Sequence, residues 1–116
     1  MSDWERIIRE AEWLAERFLR LEVDLAEAEK VGDYYVTRKY DDGAMERFLQ
    51  LMAGNPPPRS RRSQRHFQNL WDIWRQWRSS LRGEEKARAW GWGVRMAKAR
   101  AVSPPARRRA ESKIRA

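Results

Sequence analysis

Four polar residues recur every seven positions in the second half of the sequence: Arg61, Gln68, Arg75 and Arg82. Residues seven apart lie almost above one another on an α-helix, so one continuous helix would present the four as a row. An arginine side chain binds phosphate through two parallel hydrogen bonds, and a row of arginines suits the repeating charge of a nucleic-acid backbone. A solvated helix face, partly neutralised by Asp72, is the alternative interpretation.

A second candidate group surrounds Trp92, in a stretch that is rich in aromatic, basic and glycine residues. Arg88 lies four residues before this tryptophan and Arg95 three residues after it, so all three share one side of a helix. A ring between two arginines can stack on a base or anchor a protein interface, and packing inside the fold is a third alternative.

The same stretch, AWGWGVRMAKAR, contains two glycines, each of which should cost a helix about 1 kcal/mol relative to alanine. A glycine removes a side chain and so lets another backbone approach closely. Trp90 falls on the apolar stripe of the helix, whereas Trp92 falls on the arginine side. We therefore expect Gly91 to press against the first helix of the chain and Gly93 to face a binding partner.

These patterns together predict a set of side chains that contact nucleic acid. The arginines and the lysine would hold phosphate groups, and the tryptophan would stack on a base. The candidates are Arg61, Arg62, Arg65, Arg75, Arg78, Arg82, Arg88, Trp92, Arg95, Lys98 and Arg100.

The sequence contains no comparable pattern for catalysis. His66 is the single histidine, and the chain has no cysteine with which it could form a catalytic pair. The acidic pair at 41–42 is typical of a turn and the pair at 84–85 of a helix start, whereas catalytic carboxylates usually come from separate elements that face one cleft. We expect no enzymatic activity, no metal and no cofactor, and a structural or solvated role for His66.

The charge of the chain is strongly divided along its length. Residues 1–30 hold nine acidic and five basic residues, whereas residues 59–116 hold four acidic and 17 basic residues, and the net charge is +8. Such asymmetry is typical of a protein whose basic half meets a polyanion. The lack of cysteine, of a signal-peptide pattern and of a long apolar run favours a soluble cytoplasmic protein with no membrane partner.

Hydrophobic periodicity predicts the helices that would position these residues. Apolar residues at three- and four-residue steps mark each helix, and the glycines and prolines mark the breaks between them. The predicted helices cover about 4–28, 45–52, 60–81 and 84–102, with a connector at 32–43.

Three tryptophans on the predicted third helix could act as platforms for bases. They are Trp71, Trp74 and Trp77, and they share the apolar stripe of that helix. This spacing favours the core over base stacking. We expect Trp77 to be the one that is partly exposed.

The chain is long enough for one hydrophobic core and too short for two. We predict a single all-α bundle of four to five helices over 1–102, divided into an acidic half, 1–54, a proline-rich hinge, 55–59, and a basic half, 60–102. Two consecutive prolines should end the last helix, so we expect 103–116 to be a flexible basic tail.

Two segments of the basic half carry a resemblance to a known family. They are SRRSQRHF, a serine-rich start with basic and aromatic positions that enters a helix, and ARAWGWGVRMAKAR, an alanine-rich aromatic segment that ends in a basic residue. On these segments, residues 60–100 resemble the helical small subunit of multi-subunit CRISPR effector complexes, particularly those of type III.

The resemblance implies a non-catalytic protein that is present in several copies and contacts other protein subunits. These copies would stack along the guide-bearing backbone subunits and line a groove for target RNA or displaced single-stranded DNA. The contacts would be with the nucleic-acid backbone and would read no sequence.

Two other classes of protein remain open. One is a DNA-binding or phage-type transcription regulator that places its third or fourth helix in the major groove, and a preference for one duplex sequence would indicate it. The other is an interaction or inhibitor protein, which would bind another protein without binding nucleic acid.

Overall fold

The computed structural model describes the backbone of residues 3–115 and the side chains of residues 3–102. Over this range the chain forms five α-helices and one 3₁₀-helix, which confirms the predicted all-α bundle. Helix α5 packs along α1 and on α2, and α3 packs on α4. The helices are α1 (Asp3–Arg20), α2 (Leu25–Thr37), α3 (Asp42–Gly54), the 3₁₀-helix (Pro58–Ser63), α4 (Gln64–Gln76) and α5 (Glu84–Arg115).

The predicted long first helix is wrong, because the chain turns sharply between α1 and α2. Glu22 adopts a left-handed backbone conformation, with φ of 51°. The N–H of Val23 then donates to the carbonyl of Phe18 at 3.1 Å and the N–H of Glu22 to that of Leu19 at 3.2 Å, which is the Schellman arrangement that ends a helix. The carboxylate of Asp24 accepts two N–H groups from the first turn of α2, at 2.8 and 3.2 Å, and so starts the next helix.

The predicted connector at 32–43 is also mostly wrong, because α2 continues through its tyrosines. Tyr35 is buried against the ring of Trp74, with 5.4 Å between ring centroids, and this packing outweighs the local preference of tyrosine for extended structure. Helix α2 ends in a second Schellman arrangement, in which Lys39 has φ of 54° and the N–H of Tyr40 donates to the carbonyl of Tyr35 at 2.9 Å. Only residues 38–41 connect α2 to α3.

Helix α4 is shorter than predicted and ends at Gln76. The reason is Glu10 of α1, whose carboxylate accepts the indole N–H of Trp77 at 2.8 Å and the backbone N–H and hydroxyl of Ser80 at 3.2 and 3.0 Å. Because Glu10 satisfies these polar groups, the chain leaves the helix while Trp77 and Leu81 remain buried. Residues 77–83 thus form an irregular segment, which we call the α4–α5 loop.

Helix α5 is longer than predicted. It begins at Glu84, as the sequence indicated, but runs to Arg115 and therefore passes through the two prolines that were expected to end it. The sequence predicts a flexible basic tail at 103–116, and the side chains of these residues lie outside the described part of the structure. Among the residues that the structure describes, no helix is long and apolar enough to cross a bilayer.

Aromatic rings fill the centre of the molecule. The ring centroid of Trp90 lies 4.9 Å from that of Phe18, 5.8 Å from that of Trp74 and 5.9 Å from that of Trp77. The indole of Trp90 also donates to the carbonyl of Ala28 at 2.7 Å, so its one polar group is satisfied. These contacts join α1, α2, α4, the α4–α5 loop and α5 in one core.

The tryptophans of the α4 region differ from expectation in one respect. Trp74 and Trp77 are 6% and 7% exposed, so the predicted partial exposure of Trp77 is wrong. Trp77 is held inward by its hydrogen bond to Glu10. Trp71 is the half-buried one of the three, and the guanidinium of Arg75 lies 5.7 Å from its ring centroid.

The acidic pair at 41–42 starts α3 and anchors it to two neighbouring helices. The carboxylate of Asp41 accepts the N–H of Ala44 at 3.0 Å and so caps the helix. Asp42 accepts the hydroxyl of Tyr35 at 2.6 Å and lies 3.4 Å from the ammonium of Lys86. Burial raises the pKa of Tyr35, and the hydrogen bond to the Asp42 carboxylate raises it further.

Candidate nucleic-acid interface

The predicted row of polar residues seven apart does not form. It required one continuous helix from Arg61 to Arg82, and the chain does not provide it. Arg61 lies on the 3₁₀-helix, Gln68 and Arg75 lie on α4, and Arg82 lies in the α4–α5 loop. The predicted arginines are therefore distributed over several surfaces, and each surface must be considered separately.

Among the residues whose side chains are described, four exposed arginines cluster in the stretch 58–65, which we call the basic segment. It comprises the 3₁₀-helix and the first residues of α4, and it exposes Arg59, Arg61, Arg62 and Arg65. Within the part of the chain whose side chains are described, no ion pair, side-chain hydrogen bond or ring contact engages any of these four arginines. Their charges are therefore available to an external anion.

The sequence on either side of the basic segment also lacks acidic residues. Residues 47–71 contain five arginines and no aspartate or glutamate. The nearest carboxylate that contacts the segment belongs to Glu27 of α2, which accepts the hydroxyl of Ser63 at 3.3 Å and is itself largely buried. An anion at this surface would meet little like-charge repulsion from neighbouring residues in the chain.

Several hydrogen bonds hold the basic segment in place. The side-chain amide of Gln64 donates to the carbonyl of Ala53 at 3.0 Å, which ties the segment to the end of α3. The backbone N–H of Asp24 donates to Nδ1 of His66 at 3.0 Å, which ties the start of α4 to the corner between α1 and α2. The imidazole thus acts as a hydrogen-bond acceptor between helices, a structural role of the kind that we expected for His66.

The basic segment has a three-residue arginine spacing in place of the predicted spacing of seven. A 3₁₀-helix has three residues per turn and rises about 2.0 Å per residue, so residues three apart lie above one another about 6 Å apart. Arg59 and Arg62 have this spacing on the 3₁₀-helix, and Arg65 comes three residues later on the first turn of α4. Arg59 was absent from the predicted set because its position after three prolines placed it in the hinge.

Three of the other seven predicted cations form ion pairs within the protein. Guanidinium–carboxylate distances are 2.6 Å for Arg75 with Asp72 and 2.8 Å for Arg88 with Glu84. Lys98 pairs with Glu29 of α2, and this hydrogen bond and the nearby positive charge lower the pKa of Glu29. Exposed positions without such a partner among the described side chains are Arg78 and Arg82 in the α4–α5 loop and Arg100 on α5.

The predicted stacking residue Trp92 is half-buried. The guanidinium of Arg95 lies 5.0 Å from its ring centroid, and the ring of Trp4 contacts it edge-on with centroids 5.9 Å apart. Packing within the fold, the third of the alternatives for this residue, thus accounts for an edge and a face of the ring. Trp92 lines a groove between α2 and α5, which we call the α2–α5 groove.

The basic segment and the α2–α5 groove lie on different sides of α2. Glu27 contacts the basic segment through Ser63, whereas Glu29 contacts α5 through Lys98. Residues two apart on an α-helix are separated by about 200° around its axis, so these two side chains leave α2 in nearly opposite directions. The candidate residues predicted as one basic face therefore belong to at least two separate surfaces.

The structure reverses the roles that we predicted for the two glycines of α5. A Cβ atom on Gly93 would lie 2.9 Å from Cβ of Leu14 and 3.2 Å from the carbonyl oxygen of Ala11, so this glycine is the one that lets α5 press on α1. A Cβ atom on Gly91 would have no atom within 4 Å, and Gly91 lines the α2–α5 groove. The two glycines predict a close approach of another backbone to α5, but the sequence does not determine which of them packs against α1.

Comparison of the chain with protein-family models, with curated proteins and with solved structures finds no match.

Proposed function

We propose that this protein is a non-catalytic nucleic-acid-binding protein that holds the sugar–phosphate backbone with its basic segment. The observation that carries the proposal is the group of four exposed arginines, at positions 59, 61, 62 and 65, which have no acidic partner among the side chains of residues 3–102. An arginine side chain is well suited to phosphate because its planar guanidinium can donate to two phosphate oxygens at once. Phosphate contacts fix a protein on nucleic acid without reading its sequence, so binding should be independent of sequence.

The spacing within the basic segment favours a single strand of DNA or RNA. Arg59 and Arg62 lie about 6 Å apart along one side of the 3₁₀-helix, and Arg65 follows on the first turn of α4. Neighbouring phosphates of one strand are separated by a similar distance, so three consecutive phosphates can each meet one guanidinium. The hydrogen bonds that Gln64 donates and His66 accepts hold this side in place before any ligand binds, which lowers the entropic cost of binding.

Salt dependence of binding tests the proposal directly. Each phosphate contact on a single strand contributes about 0.7 to the negative slope of log affinity against log salt concentration. Replacing the four arginines of the basic segment with glutamine should therefore reduce the slope by about 3. The measurement is fluorescence anisotropy with labelled single-stranded DNA and RNA of mixed sequence over a range of salt concentrations.

A matched control has the same change in net charge. Arg20, Arg75, Arg88 and Lys98 all form ion pairs within the protein, and replacing these four with glutamine also removes four positive charges. We expect this variant to change the slope by less than 1, because its cations are already neutralised. Equal slopes for the two variants, or a flat plot for the natural protein, would contradict the proposal.

A narrower proposal is that the protein serves as the cytoplasmic small subunit of an RNA-guided CRISPR effector complex. The resemblance of residues 60–100 to that family supports it, and the lack of cysteine fits a reducing compartment. Co-expression with the guide-bearing subunits of a type III complex tests it. The protein should co-elute with the assembled complex in more than one copy, and its elution as a free protein would refute this narrower role.

A further inference from the structure

The α2–α5 groove has a volume of about 470 Å³ and runs along α5 from Glu84 to Lys98. At about 1.5 Å per residue, these fourteen helical steps correspond to roughly 21 Å, the length of about six extended residues. The ion pair between Lys98 and Glu29 joins the two helices at one end. Tyr40 and the start of α5 lie at the other end.

The floor of the groove consists partly of bare backbone, above two apolar side chains that are only 2% and 3% exposed. Trp90 and Val94 of α5 line it, together with Gly32 of α2. Gly91 leaves an open space where any other residue would place a side chain. Val36 lines the α2 wall and is 50% exposed, so apolar surface is accessible from the solvent along the groove.

The charges of the rim sum to zero, which separates this surface from the basic segment. Acidic and basic side chains are equal in number: Glu29, Asp33, Glu84, Arg88, Arg95 and Lys98. A polyanion gains no net electrostatic attraction at such a rim, because the rim carries as many carboxylates as cations. Charge complementarity therefore favours a ligand that is itself close to neutral.

Two of the rim residues keep unused hydrogen-bonding capacity on opposite walls. Asp33 on α2 has no partner among the described side chains, and its carboxylate can accept N–H groups. Arg95 on α5 lies over the ring of Trp92 and forms no ion pair or hydrogen bond with a described side chain, so its guanidinium can donate to carbonyl oxygens. An extended polypeptide offers both kinds of group along its main chain, whereas a helix has already paired them internally.

The neighbouring surface has the composition of a protein interface. Trp4 is 51% exposed and contacts the edge of Trp92, and Arg95 lies over the Trp92 ring. Tryptophan and arginine dominate the binding energy of protein–protein contacts. We propose that the α2–α5 groove binds an extended segment of a protein partner, which places one large apolar side chain over Gly91 and pairs its main chain with Asp33 and Arg95.

The test uses a blocked hexapeptide with one central tryptophan among glycine and serine residues, added to the full-length ¹⁵N-labelled protein. We expect saturable shifts of the Gly91 amide and the Trp92 indole signals in NMR spectra. The same peptide with alanine in place of tryptophan should bind at least tenfold more weakly. Hexathymidylate, the nucleic-acid probe, should leave both signals in place.

A substitution that fills the groove provides the specific control. Gly91→Leu places a side chain in the open space and suits a helix, so the protein should stay folded while peptide affinity falls at least tenfold. Gly54→Leu adds the same side chain at another open glycine and should leave affinity unchanged. Unaltered binding by the Gly91→Leu variant, no saturable shift at Gly91, or equal shifts with hexathymidylate would overturn the proposal.

Discussion

The basic segment and the α2–α5 groove both carry cationic side chains, but they differ in what surrounds each charge. In the basic segment, arginines such as Arg61 and Arg62 meet no carboxylate among the described side chains. On the groove rim, Arg88 and Lys98 pair with Glu84 and Glu29. Availability to a polyanion therefore depends on which cations pair with carboxylates in the folded chain, which the number of basic residues in a stretch of sequence does not reveal.

The largest effect that we expect concerns the floor of the groove, which depends on α5 meeting α1 through Gly93 and leaving Gly91 bare. Both residues lie within α5, so changing either to alanine gains the same helix propensity, about 1 kcal/mol. Only Gly93→Ala adds a Cβ atom against Leu14 and Ala11, and such overpacking costs about 1–3 kcal/mol. The free energies of unfolding of the two variants should therefore differ by about 1–3 kcal/mol.

Urea unfolding measures this difference, with Gly91→Ala expected to be at least as stable as the natural protein. The opposite order of stability would mean that α5 is rotated about its axis from the position described. The groove would then lose its floor, and the contrast between the two surfaces would fail.

Lys86 represents a third kind of cation. It is neither unpaired nor part of an ion pair at the surface, because it packs inside the fold. Its side chain is only 12% exposed, and its ammonium lies 4.3 and 5.2 Å from the ring centroids of Trp74 and Trp77. Asp42 lies 3.4 Å from the same ammonium. Lys86→Met keeps the length of the side chain and removes the charge, so it should destabilise the fold by about 1–2 kcal/mol through the lost cation–π contacts.

The matched variant for Lys86 is Lys30→Met, since the side chain of Lys30 is 72% exposed. A change at such a site should alter the free energy of unfolding by no more than about 0.5 kcal/mol. Neither variant should change the slope of nucleic-acid affinity against salt concentration. If the two variants were equally stable, the ammonium of Lys86 would have no part in the core.

The sequence predicts the helices better than the joints between them. Apolar periodicity identifies α1, α3 and α4, but the breaks at Glu22 and Lys39 are made by non-glycine residues in left-handed conformations, which leave no local signal. Tertiary contacts decide the other differences. Glu10 ends α4 from another helix, and Tyr35 stays helical because it packs on the core.

The candidate site was likewise predictable from the sequence only in part. Composition directs attention to the arginine-rich half, but the prediction of one continuous helix from Ser60 to Leu81 implies a row of polar residues that does not form. Arg59 follows Pro58 and was assigned to a hinge, although it belongs to the most accessible group of charges. A single sequence contains no reliable signal for a 3₁₀ turn at the start of a helix. The three-residue spacing of the arginines in the basic segment was therefore not predictable.

A smaller effect is expected when the acidic partners on the groove rim are removed. Glu29→Gln together with Glu84→Gln frees Lys98 and Arg88, which should make the rim resemble the basic segment. If both freed cations contact phosphate, the negative salt slope should grow by up to about 1.4, or 0.7 for each contact. Anisotropy with single-stranded DNA over a range of salt concentrations measures it.

The control for this variant removes two other exposed carboxylates, those of Glu12 and Glu46. It raises the net charge by the same amount but releases no cation from an ion pair. Its salt slope should stay within about 0.5 of the natural protein, because charges away from a phosphate contact are screened. Equal changes in the two variants would show that net charge, and not pairing, distinguishes the surfaces.

The smallest expected effect is a change in the titration of Glu29. The hydrogen bond from Lys98 and its positive charge lower the pKa of Glu29 below its ordinary value of 4.5. A carboxyl group with a lowered pKa contributes stability above its unfolded-state pKa and loses it as the pH falls through the folded-state value. Acidification through that range should therefore release Lys98 from α2.

NMR titration of the Glu29 side-chain carboxyl should show its pKa return towards 4.5 in Lys98→Gln, while Lys30→Gln leaves it low. An unchanged pKa in Lys98→Gln would mean that this ion pair does not join α2 to α5 in solution, and the groove would lack its closed end.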